Sequence, residues 1–318
     1  DFLSHYLSEK SKKIIGTIVN LIALISACVF FKAGVDATTM YYNLGQMMEL
    51  EINIPIWWMF LAFPVGFFAG LFGIGGGLIS VPFLFFIFDF LNLTEDYTMH
   101  LAVGTAFFIT IFTSTASVLT HRKHNAVDFG VLKIFGLFVI LGVFFGSFLA
   151  AFLKTKYLVL FFSIVVFIFG AYLLLQQENS NKIKPSFGFF SKAILGFISG
   201  SISAPMGITG AMMNVPILRF FGYPITKAIG SAAAIGWVIS ISGTIGFFST
   251  GLYLDVSLPL SIGFVNIPAF LIFIPITTIM ARVGVNTVHK MSKIKAQRMF
   301  GVFLYVIGTI FIFRYFSL

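Results

Sequence analysis

Gly70-Leu71-Phe72-Gly73-Ile74-Gly75-Gly76-Gly77-Leu78-Ile79-Ser80-Val81-Pro82 lies inside an apolar stretch, residues 56–90, with no charge before Asp89. As one helix the stretch would be about 52 Å long at 1.5 Å per residue. That is too long for one straight crossing of a hydrocarbon core of about 30 Å and too short for two. Glycine admits positive φ and close backbone approach. The run therefore reads as an interruption, with two helical arms meeting at a break inside the membrane.

A second, weaker copy follows. With Gly73 set against Gly207, the pentapeptide Gly73–Gly77 faces Gly207-Ile208-Thr209-Gly210-Ala211. Ser80-Val81-Pro82 then faces Asn214-Val215-Pro216, and Leu84 faces Leu218. Further on, Ala102-Val103-Gly104-Thr105-Ala106 matches Ala228-Ile229-Gly230-Ser231-Ala232, and Asp128 is set against Asp255. Residues 56–175 and 191–318 are thus two copies of one unit. Residues 176–190 form a cytoplasmic linker, and residues 1–55 stand outside the repeat.

Composition agrees with a membrane protein. Of 318 residues, 58% are hydrophobic and 10% charged, against about 25% charged in soluble domains. Apolar segments fall at 14–31, 56–90, 99–120, 131–153, 157–175, 191–218, 227–249, 260–281 and 299–317. The net charge of +9 sits in short loops, as the positive-inside rule expects. No aromatic-interleaved basic stripe indicates nucleic-acid binding. Residues 14–31, behind Lys10, Lys12 and Lys13, read as an uncleaved first helix rather than a signal peptide. The single cysteine, Cys28, excludes a disulfide framework within one chain.

Loop charges set the orientation. With a cytoplasmic N-terminus and both Gly-interrupted segments re-entrant, 16 of the 20 Lys and Arg residues fall inside. Only Lys32, Lys154, Lys156 and Arg314 fall outside. Each copy then has one hairpin and three crossings, an odd number, so the copies are inverted. The fold class expected is an all-α polytopic membrane protein of two inverted repeats, each a Gly-interrupted re-entrant or broken helix plus three transmembrane helices, with an extra N-terminal helix. Inverted repeats with broken helices near the midplane recur in secondary transporters.

Helices that restart at a break aim unpaired N–H groups and a positive dipole end at it, which suits an anion. The candidate substrate-binding set is Gly73, Gly75, Gly76, Gly77, Ser80, Thr105, Gly207, Thr209, Gly210, Asn214 and Ser231. The hydroxyl and amide side chains can donate to an anion without burying a cation. They can equally bond between helices or to their own backbone. Gly142 and Gly146 read as a helix-packing pair. Asp128 and Asp255 read as helix N-caps. Asp89, His100, His121 and His124 sit at segment ends, so no ionisable group lies near a segment centre. No constellation for ATP hydrolysis, metal ligation or nucleophilic catalysis is present, so no cofactor and no enzyme activity are expected.

The Gly70–Pro82 run, Ala102–Ala106 and the weaker copy at Gly207–Pro216 and Ala228–Ala232 resemble the sulfite exporter TauE/SafE family, over roughly residues 56–317. The resemblance implies transport of a small anion, such as sulfite, sulfoacetate or a related sulfonate, across an inner membrane. Thr209 and Ala211 stand where the first copy has Gly75 and Gly77, which makes the half-sites unequal. A thiosulfate carrier relying on cysteines is disfavoured, since Cys28 lies outside the repeat. The rival readings are an anion channel on the same fold and a non-transport membrane enzyme or subunit. The partners expected are the small anion and the lipid bilayer, with a homodimer compatible with the extra lipid-exposed helix 14–31.

Overall fold

The computed structural model describes residues 62–68, 76–94, 96–175, 187–209, 211–288 and 293–318. The chain divides into two compact units, Asp1–Phe60 and Leu61–Leu318, and the description concerns the second. The expected helix at 14–31 and the loop after it lie outside the described residues, as do Gly73, Gly75 and Gly210.

Residues 62–68 are helical. The helices that follow are α1 (Gly77–Phe90), α2 (Thr98–Lys123), α3 (Phe129–Ala151), α4 (Thr155–Leu175), α5 (Phe189–Met206), α6 (Ala211–Phe220) and α7 (Ile225–Tyr253). A minimal antiparallel hairpin, β1 (Ser261–Ile262) and β2 (Val265–Asn266), pairs Ser261 with Asn266. Helices α8 (Ile267–Val288) and α9 (Lys293–Ser317) complete the chain. Six helical stretches are long and apolar enough to cross a membrane: α2, α3, α4, α5, α7 and Gln297–Ser317. The fold is that of an all-α polytopic membrane protein.

The faces divide as a bilayer demands. On α3, Val131, Phe135, Val139, Val143 and Ala150 are buried, whereas Leu141, Phe145, Phe148 and Phe152 are exposed. Lipid tails are as apolar as leucine, so these exposed rings cost nothing there and supply no force that drives helices together. Association rests instead on close van der Waals contact and hydrogen bonds between helices. Small residues make that contact. A Cβ on Gly142 would lie 2.1 Å from the Phe197 carbonyl oxygen, and one on Gly146 would lie 2.5 Å from that of Ser201. The pair seats α3 on α5, as its spacing suggested.

Helices α2 and α7 pack on one another and carry a reciprocal clasp. A Cβ on Gly104 of α2 would meet the Phe264 carbonyl oxygen at 2.1 Å, and one on Gly230 of α7 would meet that of Ala126 at 2.4 Å. One residue on, the Asn266 backbone N–H donates to Thr105 Oγ1 at 2.9 Å, and the Asp128 N–H donates to Ser231 Oγ at 2.9 Å. Two residues separate carbonyl from N–H in each loop. Each glycine lets the opposite loop approach, and each hydroxyl holds its N–H. The pattern extends outward: a Cβ on Gly66 would lie 2.6 Å from Thr277 Cα, and one on Gly200 would lie 2.2 Å from the Val139 carbonyl oxygen.

The clasp also corrects an equivalence. Asp128 is an N-cap, with Oδ1 accepting from the N–H groups of Gly130 at 2.8 Å and Val131 at 3.3 Å. Its counterpart is Asn266, whose Oδ1 accepts from Ala269 N–H at 3.0 Å at the start of α8. Asp255, expected to cap a helix, does not. It follows the C-terminus of α7 with φ 50, as Asn125 follows α2 with φ 50. Ala126 N–H returns to His121 and Val256 N–H to Gly251, the same closure in both loops. The β-hairpin separates Asp255 from α8, so the helix expected from 260 starts at Ile267.

Substituting Gly104 or Gly230 by alanine puts a methyl group into a backbone carbonyl and is expected to destabilise the fold by about 1–3 kcal/mol. Gly136→Ala is the control, because its Cβ would meet only Leu132 Cδ1 at 3.6 Å, and a helix-interior alanine is favoured by roughly 0.5–1 kcal/mol. Thermal unfolding in detergent reads the difference. Equal midpoints for the three variants would remove the clasp from the account.

Candidate functional site

The two glycine runs meet. Gly76 is the N-cap of α1 with φ 91 and ψ −26, a left-handed conformation that a side chain would strain. Its carbonyl accepts from Ile79 N–H at 3.1 Å and Ser80 N–H at 2.8 Å. No side chain caps this helix, so the helix itself supplies no acceptor for the N–H groups of Gly77 and Leu78. In the second copy, α5 ends at Met206 and Gly207 is its C-cap, with φ 65 and ψ 20. Gly207 N–H closes on Ala204 at 3.2 Å and Ile208 N–H on Ser203 at 3.2 Å. Helix α6 starts at Ala211.

A Cβ on Gly77 would lie 2.1 Å from the Gly207 carbonyl oxygen, and one on Gly207 would lie 2.5 Å from Val81 Cγ2. The start of α1 therefore abuts the end of α5. The element against the α1 N-terminus is a carbonyl, a partial negative charge, which offsets part of the α1 dipole.

The polar candidates separate into two groups. Ser80, Thr209 and Asn214 are buried around the break, at 2% exposure or less. Thr105 and Ser231 are also buried, but their oxygens accept the loop N–H groups of Asn266 and Asp128. Those two hydroxyls join the helices as well as standing near the glycines.

Two further residues enter from α5. Ser199 Oγ donates to Asn214 Oδ1 at 2.8 Å. Ser203, one turn later, is 1% exposed. Among the described residues, Ser203 Oγ and Asn214 Nδ2 are buried without a hydrogen-bond partner. The Ser199-Gly-Ser-Ile-Ser203 spacing puts both serines on one helix face and could have been read as a polar stripe. What the spacing lacked was the partner helix.

At the foot of α3, Asp128 lines a cavity of about 230 Å³ with Phe221, Gly222, Tyr223, Pro224 and Lys227. Burial, then the adjacent Asp128 carboxylate, raise the Tyr223 phenol above its ordinary range. The phenol therefore keeps its proton and can donate. Across the molecule, Arg314 at the end of α9 pairs with Asp89 at the end of α1.

A helical membrane protein in which the start of α1 meets the end of α5, held by glycine contacts and neutral hydrogen bonds, is compatible in its construction with a membrane permease. The family model described as "Sulfite exporter TauE/SafE" matches residues 58–311, and the chain belongs to that family. A second model, "Tripartite ATP-independent periplasmic transporters, DctQ component", matches residues 1–76. Among curated relatives, a probable membrane transporter protein of Haemophilus influenzae is 28% identical over 243 residues, 76% of this chain and 92% of its own length. One from Methanocaldococcus jannaschii is 28% identical over 262 residues, 82% of this chain and 96% of its own. One from Bacillus subtilis is 23% identical over 205 residues, 58% of this chain and 75% of its own. No solved structure matches the chain at a significant level.

Gly207→Ala is expected to destabilise by about 1–3 kcal/mol through strained φ and the Val81 contact. The double variant Gly207→Ala/Val81→Ala should be less destabilised than the two single effects added together. Gly77→Ala should gain nothing from Val81→Ala, because its obstacle is a backbone oxygen. A double-mutant cycle on unfolding midpoints checks this. Strict additivity for Gly207 with Val81 would contradict the contact.

Proposed function

We propose that this protein is a secondary transporter that exports a small anion, sulfite or an organosulfonate such as sulfoacetate, across the inner membrane. The observation that carries the reading is the contact of α1 with the end of α5 at Gly77 and Gly207. Two helices interrupted at one interior point leave backbone polar groups there, and such backbone is tolerated in a bilayer only where protein or a polar cavity receives it. Free N–H groups at a helix start suit an anion. The sulfite exporter name of the family supplies the substrate class.

The architecture proposed is two inverted repeats around α2 and α7. Support comes from the reciprocal contacts, in which Gly104 and Thr105 treat one loop as Gly230 and Ser231 treat the other. Helix α5 is long enough to cross by itself, whereas α6 has 10 residues; the hairpin reading takes its arms from this pair. Gly76, Gly77, Ser80, Gly207, Thr209 and Asn214 form the proposed anion site, and Gly73, Gly75 and Gly210, assigned to it from the sequence, lie outside the described residues. Thr105 and Ser231 hold the central helices beside it. The two halves rock about α2 and α7, opening the break to one face and then the other. The N-terminus faces the cytoplasm, as the loop charges indicate.

Export needs no proton partner. The interior potential expels an anion with about 2.3 kcal/mol per charge per 100 mV. For a singly charged substrate, that corresponds to a concentration ratio of roughly 50-fold at equilibrium.

Proteoliposomes under an imposed potential of 100 mV should distribute sulfite toward that ratio, and Gly76→Leu should bring the flux near background. Single-channel currents would replace the carrier with a channel. Absence of flux for sulfite and every sulfonate would sink the substrate assignment.

A further inference from the structure

The clasp sets the two ends of the α2–α7 pair in one register, and the ends differ. Gly104 corresponds to Gly230 and Thr105 to Ser231, while the loop residues they grip, Phe264 and Asn266, correspond to Ala126 and Asp128. Counting back along both helices, Tyr97 corresponds to Tyr223, His100 to Thr226 and Leu101 to Lys227.

At the α2 end, rings fill the space. The Phe264 ring centroid lies 5.0 Å from that of His100 and 5.3 Å from that of Tyr97, and His100 lies 5.4 Å from Tyr97. Every residue from Thr98 to Phe107 is buried. At the α7 end, the counterparts of two of these rings are small: Ala126 stands for Phe264 and Thr226 for His100. Tyr223 there borders the open cavity of about 230 Å³ together with Asp128 and Lys227. Ile225 and Ile229, in the first turns of α7, are 40% and 37% exposed. One end of the pair is shut and the other is open.

The shut end adjoins the helix break. His100 is one turn before Gly104 on α2. Val103, next to Gly104, faces the break, since a Cβ on Gly207 would lie 3.5 Å from Val103 Cγ1.

The ring stack also contains an unmet hydrogen bond. His100 Nε2 lies 2.9 Å from the Ala150 carbonyl oxygen, which can only accept, so Nε2 holds the proton and Nδ1 is an acceptor. Among the described residues, Nδ1 is buried without a partner. Buried polar atoms are normally satisfied, and each exception calls for a reason. Rings that only fill space supply none. A gate does: when the rings part, water reaches Nδ1, so the open form regains a bond that the shut form gives up. That keeps the two forms close in energy, as a two-state element requires.

We propose that the Tyr97–His100–Phe264 stack is the gate at the α2 end of the transport path, shut in this structure, and that the cavity beside Tyr223 and Lys227 is the matching opening at the α7 end. The proposal rests on the reading that the two halves rock about α2 and α7, and names what closes one end.

The test is thiol labelling of the full chain in lipid nanodiscs, where a water-soluble methanethiosulfonate reaches both faces. Cys28 is replaced by serine, and a single cysteine is placed at Leu101 or at its counterpart Lys227. Lys227→Cys should label at least about tenfold faster than Leu101→Cys, because a minor conformer holds roughly 0.1–10% of the population. Adding Phe264→Ala should raise Leu101→Cys labelling about tenfold and lower Lys227→Cys labelling severalfold. The second change decides, because a ring that merely fills space would loosen its own end and leave the far end as it was. A rise at Leu101 with Lys227 unchanged overturns the proposal, and so do equal rates at the two positions with Phe264 in place. If Phe264→Ala does not fold, as its unfolding midpoint would reveal, Tyr97→Ala removes a half-buried ring of the same stack and is held to the same outcomes. The labelling rates do not depend on which anion is carried. Absence of sulfite flux with reciprocal labelling intact overturns the substrate reading alone, whereas single-channel currents remove the rocking and the gate with it.

Discussion

A hydrocarbon interior offers no water to an open backbone. Every helix that stops inside it must hand its polar groups to something else. That constraint organises this molecule. Helix α5 stops at Gly207, whose left-handed conformation lets Gly207 N–H and Ile208 N–H close on α5 carbonyls. The carbonyl of Gly207 then lies against Gly77 at the start of α1. The two ends thereby approach as closely as two backbones can, which only glycine at position 77 permits.

The surroundings follow from the same constraint. Two interrupted helices can meet only if the continuous helices beside them come close and stay in register. Helices α2 and α7 do so through glycines that admit a loop carbonyl and hydroxyls that accept a loop N–H. The short sequence Gly-Thr in one helix and Gly-Ser in the other thereby has a mechanical meaning. The loops they grip carry Asp128 and Asn266, the N-caps of α3 and α8. Register passes from the central pair to the next helix on each side. Because lipid gives no hydrophobic force between helices, these contacts carry a larger share of the packing than in a soluble core.

The residue types around the break point the same way as the backbone. Hydroxyls and one amide are buried there, at Ser80, Ser203, Thr209 and Asn214. The family assignment over residues 58–311 gives that arrangement a transporter context. The separate match over residues 1–76 covers residues 1–55, which stand apart from the repeat in the sequence, and runs into the first copy as far as Gly76.

Much of this was legible in the chain alone. Apolar length and scarce charge define a polytopic helical protein, since a bilayer accepts little else. The second glycine run announced a helix end, and Gly207 is the C-cap of α5 as its place in the run implied. The Gly142–Gly146 spacing announced a close contact, though not with α5. Other features depended on which loop reaches which helix. Asp255 looked like a helix cap because it precedes an apolar segment, yet an intervening hairpin leaves it at the end of α7 and gives the cap to Asn266. Thr105 and Ser231 read equally as donors to an anion and as bonds between helices, because a sequence does not reveal which N–H arrives from a distant loop. Ser199 and Ser203 form a polar stripe in the sequence, but its partner appears only when α6 is laid beside α5. Periodicity and composition act along the chain, so the sequence by itself determined the helices and their breaks. Hydrogen-bond partnership acts across it, so only the tertiary structure decided which polar groups were satisfied and which were left open.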